Sequence, residues 1–277
     1  MKIKELNGDL IISEIENFAL ADTLDCGQAF RWEECSNGLW QGVAFGRYLK
    51  LGITDKGIIL YNQTIEDYEN VWKSYFDFER DYKGIIKILS ADETLKKACG
   101  FASGIRILRQ DAWETLCSFI ISQNNNIPRI KGIINRLCES FGDELENGFF
   151  SFPSAERIAK LSLEDLAPLR SGFRAKYILD AAKRVASGEI DLLKISKYDT
   201  DLARGELMKI YGVGAKVADC VLLFGMGHID ALPKDVWIKR VLETLYGGEL
   251  PEYAREYAGI AQQYLFHYAR MTKLIGE

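Results

Sequence analysis

Two hydrophobic rhythms divide the chain. Between residues 9 and 62, aromatic and β-branched residues recur in short runs broken by glycine, most clearly in Trp40-Gln-Gly-Val-Ala-Phe-Gly-Arg-Tyr-Leu-Lys-Leu-Gly-Ile53. Such runs, bounded by turn residues, predict β-strands. Asp55-Lys-Gly57 reads as a hairpin turn leading into Ile58-Ile-Leu-Tyr61. Thr64-Ile-Glu-Asp67 pairs an N-cap residue with an acid three positions on, and opens a predicted helix through about Tyr75.

From about Glu93 the apolar spacing becomes helical. Asp111-Ala-Trp-Glu114 is another cap, followed by an apolar run to Ile121. Pro128 suits the first turn of a helix that runs to Phe141 and stops at Gly142. Ser154–Leu161 and Ser162–Leu169 read as short serine-capped helices, and Arg174–Ala186 as a longer one ending at Ser187-Gly188. Two apolar runs, Leu207–Tyr211 and Lys216–Phe224, then flank Gly212-Val213-Gly214. Asp235–Tyr246 closes at Gly247-Gly248, and a final helix spans about Pro251–Leu274. The expected class is α+β: a small antiparallel β-sheet domain over residues 1–95, then a mainly α-helical domain over 96–277, with a helix–hairpin–helix at about 205–224.

A chain of 277 residues has length for two buried cores. No apolar run is long enough to span a bilayer, and Met1-Lys-Ile-Lys-Glu-Leu-Asn-Gly-Asp9 lacks the apolar stretch of a signal peptide. Six cysteines, at 26, 35, 99, 117, 138 and 220, include no CxxC pair, so reduced thiols are expected rather than disulfides or a zinc site. These features predict a cytoplasmic protein. The net charge of −5 argues at first against nucleic acid. Yet residues 1–100 hold 12 of the 35 Lys and Arg and 17 of the 40 Asp and Glu, which leaves 23 of each in the remainder. All the net acidity is therefore N-terminal. Arg170, Arg174 and Lys176 cluster in the neutral part, as do Arg129, Lys131 and Arg136, and also Lys234, Lys239 and Arg240. These clusters permit phosphate contacts without requiring them.

Gly212-Val213-Gly214 draws attention first among the chemistry-bearing residues. Glycine permits a tight turn between helices and lets backbone N–H groups approach an anion at the positive end of the second helix. Such a hairpin holds a DNA phosphate without reading sequence, although the same residues equally suit an ordinary αα-hairpin. Lys216 falls in the first turn of that second helix. The helix dipole and the apolar neighbours Val213, Val217 and Cys220 both favour a neutral amine, the form needed for nucleophilic catalysis through a Schiff base. Taken alone, the residue reads as an exposed lysine at a helix start. Asp235, after Leu232-Pro-Lys234, is the expected N-cap of the Val236–Tyr246 helix. A capping carboxylate facing a catalytic amine would also stabilise a developing oxocarbenium charge.

Leu207…Gly212-Val-Gly-Ala-Lys216-Val-Ala-Asp-Cys220 followed by Leu232-Pro-Lys-Asp235-Val resembles the helix–hairpin–helix–Gly/Pro/Asp superfamily of base-excision DNA glycosylases. The likeness is closest to its 8-oxoguanine DNA glycosylases, on four further segments. They are Cys26-Gly-Gln-Ala-Phe-Arg-Trp32, Arg109-Gln-Asp111 with Phe119-Ile-Ile-Ser-Gln-Asn-Asn-Asn-Ile-Pro-Arg-Ile130, Leu169-Arg-Ser-Gly-Phe-Arg-Ala-Lys-Tyr177, and Tyr257-Ala-Gly-Ile-Ala-Gln-Gln-Tyr-Leu-Phe266. The resemblance covers roughly residues 20 to 270 in family order. It implies that Lys216 attacks C1′ of a flipped nucleotide, expels the base and cleaves the strand by β-elimination, with Asp235 supporting the charge on the sugar and no metal or organic cofactor. It further implies that Gly27 presents a carbonyl to the damaged base, that Phe266 and Cys220 flank its faces and that Gln262 bonds its Watson–Crick edge. Asn124, Arg129 and Arg174 would read the estranged cytosine, Phe173 would be the wedge, and Gly212, Val213 and Gly214 would hold phosphate. The implied partner is double-stranded DNA with 8-oxoguanine opposite cytosine, bound by a monomer.

Departures from the family pattern bear on specificity. Many eukaryotic members carry Tyr at the position of Phe173, His at that of Trp237 and Asp at that of Ala269. A polar pair has thus become apolar, which points to a prokaryotic branch and leaves strictness for the opposite base open. No cysteine follows Cys220, which opposes an endonuclease III-like protein with a C-terminal iron–sulfur cluster. Lys216 opposes the alkylation-repair members, and Lys216 together with Asp235 opposes a non-catalytic DNA-binding module.

Overall fold

The computed structural model describes residues 1–272. Its N-terminal part is a six-stranded antiparallel sheet of β1 (Lys2–Leu6), β2 (Asp9–Ser13), β3 (Trp32–Glu34), β4 (Trp40–Ala44), β5 (Arg47–Thr54) and β6 (Gly57–Tyr61), in the order β1-β2-β6-β5-β4-β3. Alternation sets which face is buried: Leu10, Ile12, Leu49, Leu51, Ile58 and Leu60 point into one core. That core is shared with α1 (Leu20–Asp25), which lies between β2 and β3, through Leu20 and Leu24. It is closed by a helical segment, α2 (Ile65–Asp67), a π-helical turn (Tyr68–Trp72) and α3 (Lys73–Tyr75), through Tyr68, Trp72, Tyr75 and Phe76. Thr64 caps that segment as expected, with a reciprocal Thr64–Asp67 capping box.

Helices make up most of the remainder. After the sheet come α4 (Tyr82–Leu89), α5 (Glu93–Ala102), α6 (Ala112–Ser122), α7 (Ile127–Phe141) and α8 (Ala155–Ala159). The chain continues with α9 (Arg174–Ala186), α10 (Leu192–Ile195), α11 (Thr200–Leu207), α12 (Ala215–Gly225), α13 (Val236–Tyr246) and α14 (Ala258–Thr272). α6 and α12 lie at the centre and pack along one another, as helices apolar on nearly all sides must. They run antiparallel: the Gln110 N–H before α6 donates to the Phe224 carbonyl at the end of α12, and the Phe119 and Phe224 rings stack. The start of α12 therefore lies beside the end of α6, where the asparagine run begins. Among the described residues, no helix is long and apolar enough to cross a membrane.

Several sequence expectations need correction. β1 lies outside the expected strands, because only Ile3 of its residues turns inward; the Asn7-Gly8 turn, both residues at positive φ, is its one local signal. α1 falls within the region expected to be strands. The Ser162–Leu169 helix reduces to a 3-10 turn at Ala167–Leu169, with Ser162 and Asp165 closing a local turn instead. The first helix of the hairpin ends at Leu207, so Met208–Tyr211 is turn rather than helix. The last helix starts at Ala258 after a 3-10 segment (Glu252–Tyr257), and the expected end at Leu274 lies outside the described residues.

The two cores are joined through the Cys26–Trp32 segment, and its Arg31 forms a buried pair with Glu114 at 3.5 Å. Burial pushes the Glu114 carboxyl up to about 7 from an ordinary 4.5, with Arg31 opposing. An acid that holds its proton more tightly when folded loses stability as pH rises from about 4.5 through 7. Glu114→Gln removes that ionisation. Its melting temperature, relative to wild type, is expected to be higher at pH 8 than at pH 5; a pH-independent difference would contradict the assignment.

Candidate functional site

A cleft of about 1090 Å³ opens between the end of α6, the starts of α7, α12 and α13, and one face of α14. Gly27, Asn124, Arg129, Lys216, Cys220, Asp235, Gln262 and Phe266 all line it, although they span most of the chain. Among the described residues, its basic side chains are Arg129, Lys216, Lys234, Lys239 and Arg270, against the single carboxylate of Asp235. The acidic net charge is therefore no obstacle, because the field that matters to an anion is the local one.

Lys216 is half-buried in the first turn of α12, with its Nζ 5.1 Å from the centroid of the Phe119 ring. One turn later Cys220 is buried, and burial pushes its thiol up to about 11 while the Lys216 charge opposes the shift. Asp235 caps α13: its Oδ1 accepts from the Ile238 N–H at 2.7 Å. The second carboxylate oxygen accepts no hydrogen bond among the described residues and so is free for charge stabilisation.

Gly27 adopts φ +86°, and a β-carbon there would meet nothing within 4 Å. Backbone conformation, not crowding, calls for glycine at this position. Its flanks are fixed. The Gln28 amide donates to the Thr23 and Arg106 carbonyls at 2.8 Å and accepts from the Leu108 N–H, while the Cys26 sulfur accepts from the Gln263 Nε2 at 3.1 Å. The Gln262 side chain is 5 % exposed and its Oε1 has no partner among the described residues. A buried acceptor left unsatisfied is costly, so this oxygen is poised for a ligand donor.

The asparagine run divides its work. Asn126 caps α7 by accepting from the Arg129 N–H, and Asn125 donates to the Ile121 carbonyl, so these two serve the helix ends. Asn124 alone takes a left-handed backbone, φ 52°, and among the described residues its side chain makes no hydrogen bond. Arg174 is 3 % exposed, with its guanidinium bonded to the Gln123 and Asn124 carbonyls and 4.5 Å from the Phe173 ring. Desolvation, then the nearby charge of Arg129, lowers its pKa. Phe173 stands 46 % exposed at the start of α9 and lines a neighbouring crevice rather than the cleft itself.

The hairpin also lies outside the cleft lining. Gly212 has φ +82°, and a β-carbon would sit 2.5 Å from the Tyr177 ring, so glycine is needed there twice over. Val213 is buried, and among the described residues the Gly212 and Gly214 N–H groups make no hydrogen bond. Arg204 on α11 pairs with Asp219 on α12 at 2.6 Å, which holds the two hairpin helices together.

Residues 10–116 match the family "8-oxoguanine DNA glycosylase, N-terminal domain", and residues 117–258 match the "HhH-GPD superfamily base excision DNA repair protein". The chain belongs to this family of DNA glycosylases. The N-glycosylase/DNA lyase of Saccharomyces cerevisiae is 32 % identical over 86 % of this chain and 71 % of its own length. The 8-oxoguanine glycosylase/lyase of Clostridium acetobutylicum, solved with double-stranded DNA containing cytosine opposite 8-oxoG, superposes with a TM-score of 0.93 at 40 % identity, over 99 % of both chains. The structure of MBOgg1 with a low-affinity DNA ligand gives 0.92 at 44 % identity, over 98 % of this chain and 99 % of that one.

Some structural supports of this glycosylase site are absent from the sequence expectations. Gln123 supplies a carbonyl to Arg174, and Gln263 braces the residue before Gly27. Two consecutive glutamines inside the apolar run Ala258–Phe266 are the sequence signal for the latter. Trp237 lines the cleft, whereas Ala269 is buried in the core.

Proposed function

We propose that the protein is a bifunctional DNA glycosylase/AP lyase that removes 8-oxoguanine from duplex DNA in base excision repair. The observation that carries this reading is the shared cleft, where Lys216 and Asp235 face the same space as Gly27, Gln262 and Phe266. A base inside the duplex is out of reach, so the damaged nucleotide is flipped into the cleft. Lys216 Nζ attacks C1′ as the bond from C1′ to the base breaks; the electron pair leaves with the base, which takes up a proton. Asp235 stabilises the positive charge that builds on the sugar. Opening of the sugar ring gives a Schiff base, and loss of a C2′ proton then expels the 3′ phosphate. This chemistry requires no metal or organic cofactor.

Selection rests on one hydrogen. Guanine N7 is only an acceptor, whereas 8-oxoguanine carries a proton there. The Gly27 carbonyl attracts the second and repels the first. Gln262 bonds the Watson–Crick edge with its unpartnered Oε1, and Phe266 and Cys220 cover the base faces. Asn124 enters the vacated space and, with Arg129 and Arg174, reads the estranged cytosine beside the Phe173 wedge. Phenylalanine there keeps the stacking surface and lacks a hydroxyl. The free amides of Gly212 and Gly214, with buried Val213 between them, hold a backbone phosphate. The enzyme acts as a monomer on chromosomal DNA in the cytoplasm, with residues 1–95 as the sheet domain and 96–277 as the catalytic one.

Wild-type protein mixed with borohydride and a duplex carrying 8-oxoguanine opposite cytosine is expected to give a covalent protein–DNA adduct on a denaturing gel. The same duplex with unmodified guanine is expected to give none. Equal trapping of both, or of neither, refutes the proposal.

A further inference from the structure

Between the wedge residue and the hairpin lies a small aromatic cluster with a lysine seated on it. Tyr177 and Tyr211 meet edge to face, with centroids 5.0 Å apart at 87°, and Phe173 abuts Tyr177 at 5.6 Å. The Lys176 Nζ lies 5.4 Å from the centroid of both tyrosine rings. Tyr211 directly precedes Gly212 and is 53 % exposed, and the Tyr177 ring fills the space below Gly212 that a side chain would need. The ring pair is thus built into the hairpin, and the ammonium rides on it.

We propose that Lys176, seated on Tyr177 and Tyr211, is a second backbone-phosphate site beside the hairpin, for a neighbouring phosphodiester of the bound duplex. The inference rests on the DNA-binding function proposed above. An ammonium paired with a carboxylate has its charge compensated, whereas one held on aromatic faces keeps it for an anion. The carboxylate best placed to pair with Lys176 is Asp180, one helical turn on. Its Oδ2 is turned to other partners, accepting from the Tyr211 N–H at 2.9 Å and pairing with Arg184 at 2.8 Å. No carboxylate of the described residues lies within 4.0 Å of the Lys176 Nζ. A lysine free in water would lose rotamer freedom on binding phosphate; one already held on two rings has given up part of it. The ammonium sits beside the hairpin proposed to hold a backbone phosphate, and a compact point charge suits a phosphate oxygen, so recognition here is independent of sequence.

The test is the salt dependence of affinity for an 8-oxoguanine duplex. Each phosphate that the protein neutralises contributes about 0.9 to the slope of log K against log salt concentration. Lys176→Gln is expected to flatten the slope by that one increment with an unfolding temperature equal to wild type, and Lys176→Arg is expected to restore it. Tyr211→Phe, which keeps the ring, should match wild type, while Tyr211→Leu should weaken binding at low salt. An active wild-type enzyme whose slope is the same after Lys176→Gln overturns this inference alone. A wild type that leaves 8-oxoguanine duplexes intact overturns the function on which it rests.

Discussion

Lys216→Gln is expected to abolish the borohydride-trapped adduct and to slow single-turnover excision by about 10⁴-fold or more. An amide nitrogen can neither attack C1′ nor form a Schiff base. Glutamine nevertheless fills much of the same space beside the Phe119 ring, so folding is expected to survive with a stability change of about 0.5 kcal/mol or less. Binding to duplex DNA should also survive, since the hairpin amides are backbone groups. The variant also discriminates among amines, because Lys234 and Lys239 line the same cleft. An adduct undiminished in the variant would mean that another amine is the nucleophile, and those two would be the first to replace.

Asp235→Asn separates two roles held by one side chain. Asparagine caps helices about as well as aspartate, so the bond to the Ile238 N–H and the start of α13 should be retained. Only the negative charge is lost. Excision is expected to fall by about 10²–10³-fold, the usual cost of removing one electrostatic partner of a transition state. DNA affinity and melting temperature should stay near wild type. Asp235→Ala, which removes the cap as well, is expected to cost about 1 kcal/mol of stability in addition. If the asparagine variant excises at the wild-type rate, Asp235 is a cap and nothing more.

Where the chain carries a local cause for a structure, the sequence is legible. Thr64, Asp111 and Asp235 cap the helices they are expected to cap, and Pro128 sits in the first turn of α7, because a cap acts over three or four residues. Expectation and structure part where no such cause exists. Only Ile3 of β1 turns inward, and α1 has no side-chain cap. The serine cap at Ser162 is real but closes a turn rather than a helix, since a short helix depends on tertiary packing that a local signal does not report.

For the site, the residue types and their motif spacing mark Lys216, Asp235 and the Gly212–Gly214 hairpin as candidates, and they point to the family to which the chain belongs. Spacing alone does not say which will meet; that they act on one flipped nucleotide is what the resemblance implies. Packing of α6 antiparallel to α12 brings Asn124 to Lys216, and α14 adds Gln262 and Phe266 from far along the chain. The same packing leaves Phe173 and the hairpin outside the cleft, whereas local helix-end bonds occupy Asn125 and Asn126 and leave only the Asn124 side chain free among the described residues. Among the described residues the packing also gathers five basic side chains around one carboxylate in a chain whose net charge is −5. By itself the sequence determined the fold class, the capped helix starts at Thr64, Asp111 and Asp235, and the chemistry available, because each follows from neighbours within a few residues. The tertiary structure alone decided the shared cleft, its local positive charge and the seat of Lys176 on two tyrosines, because each depends on side chains that only packing brings within a few ångströms.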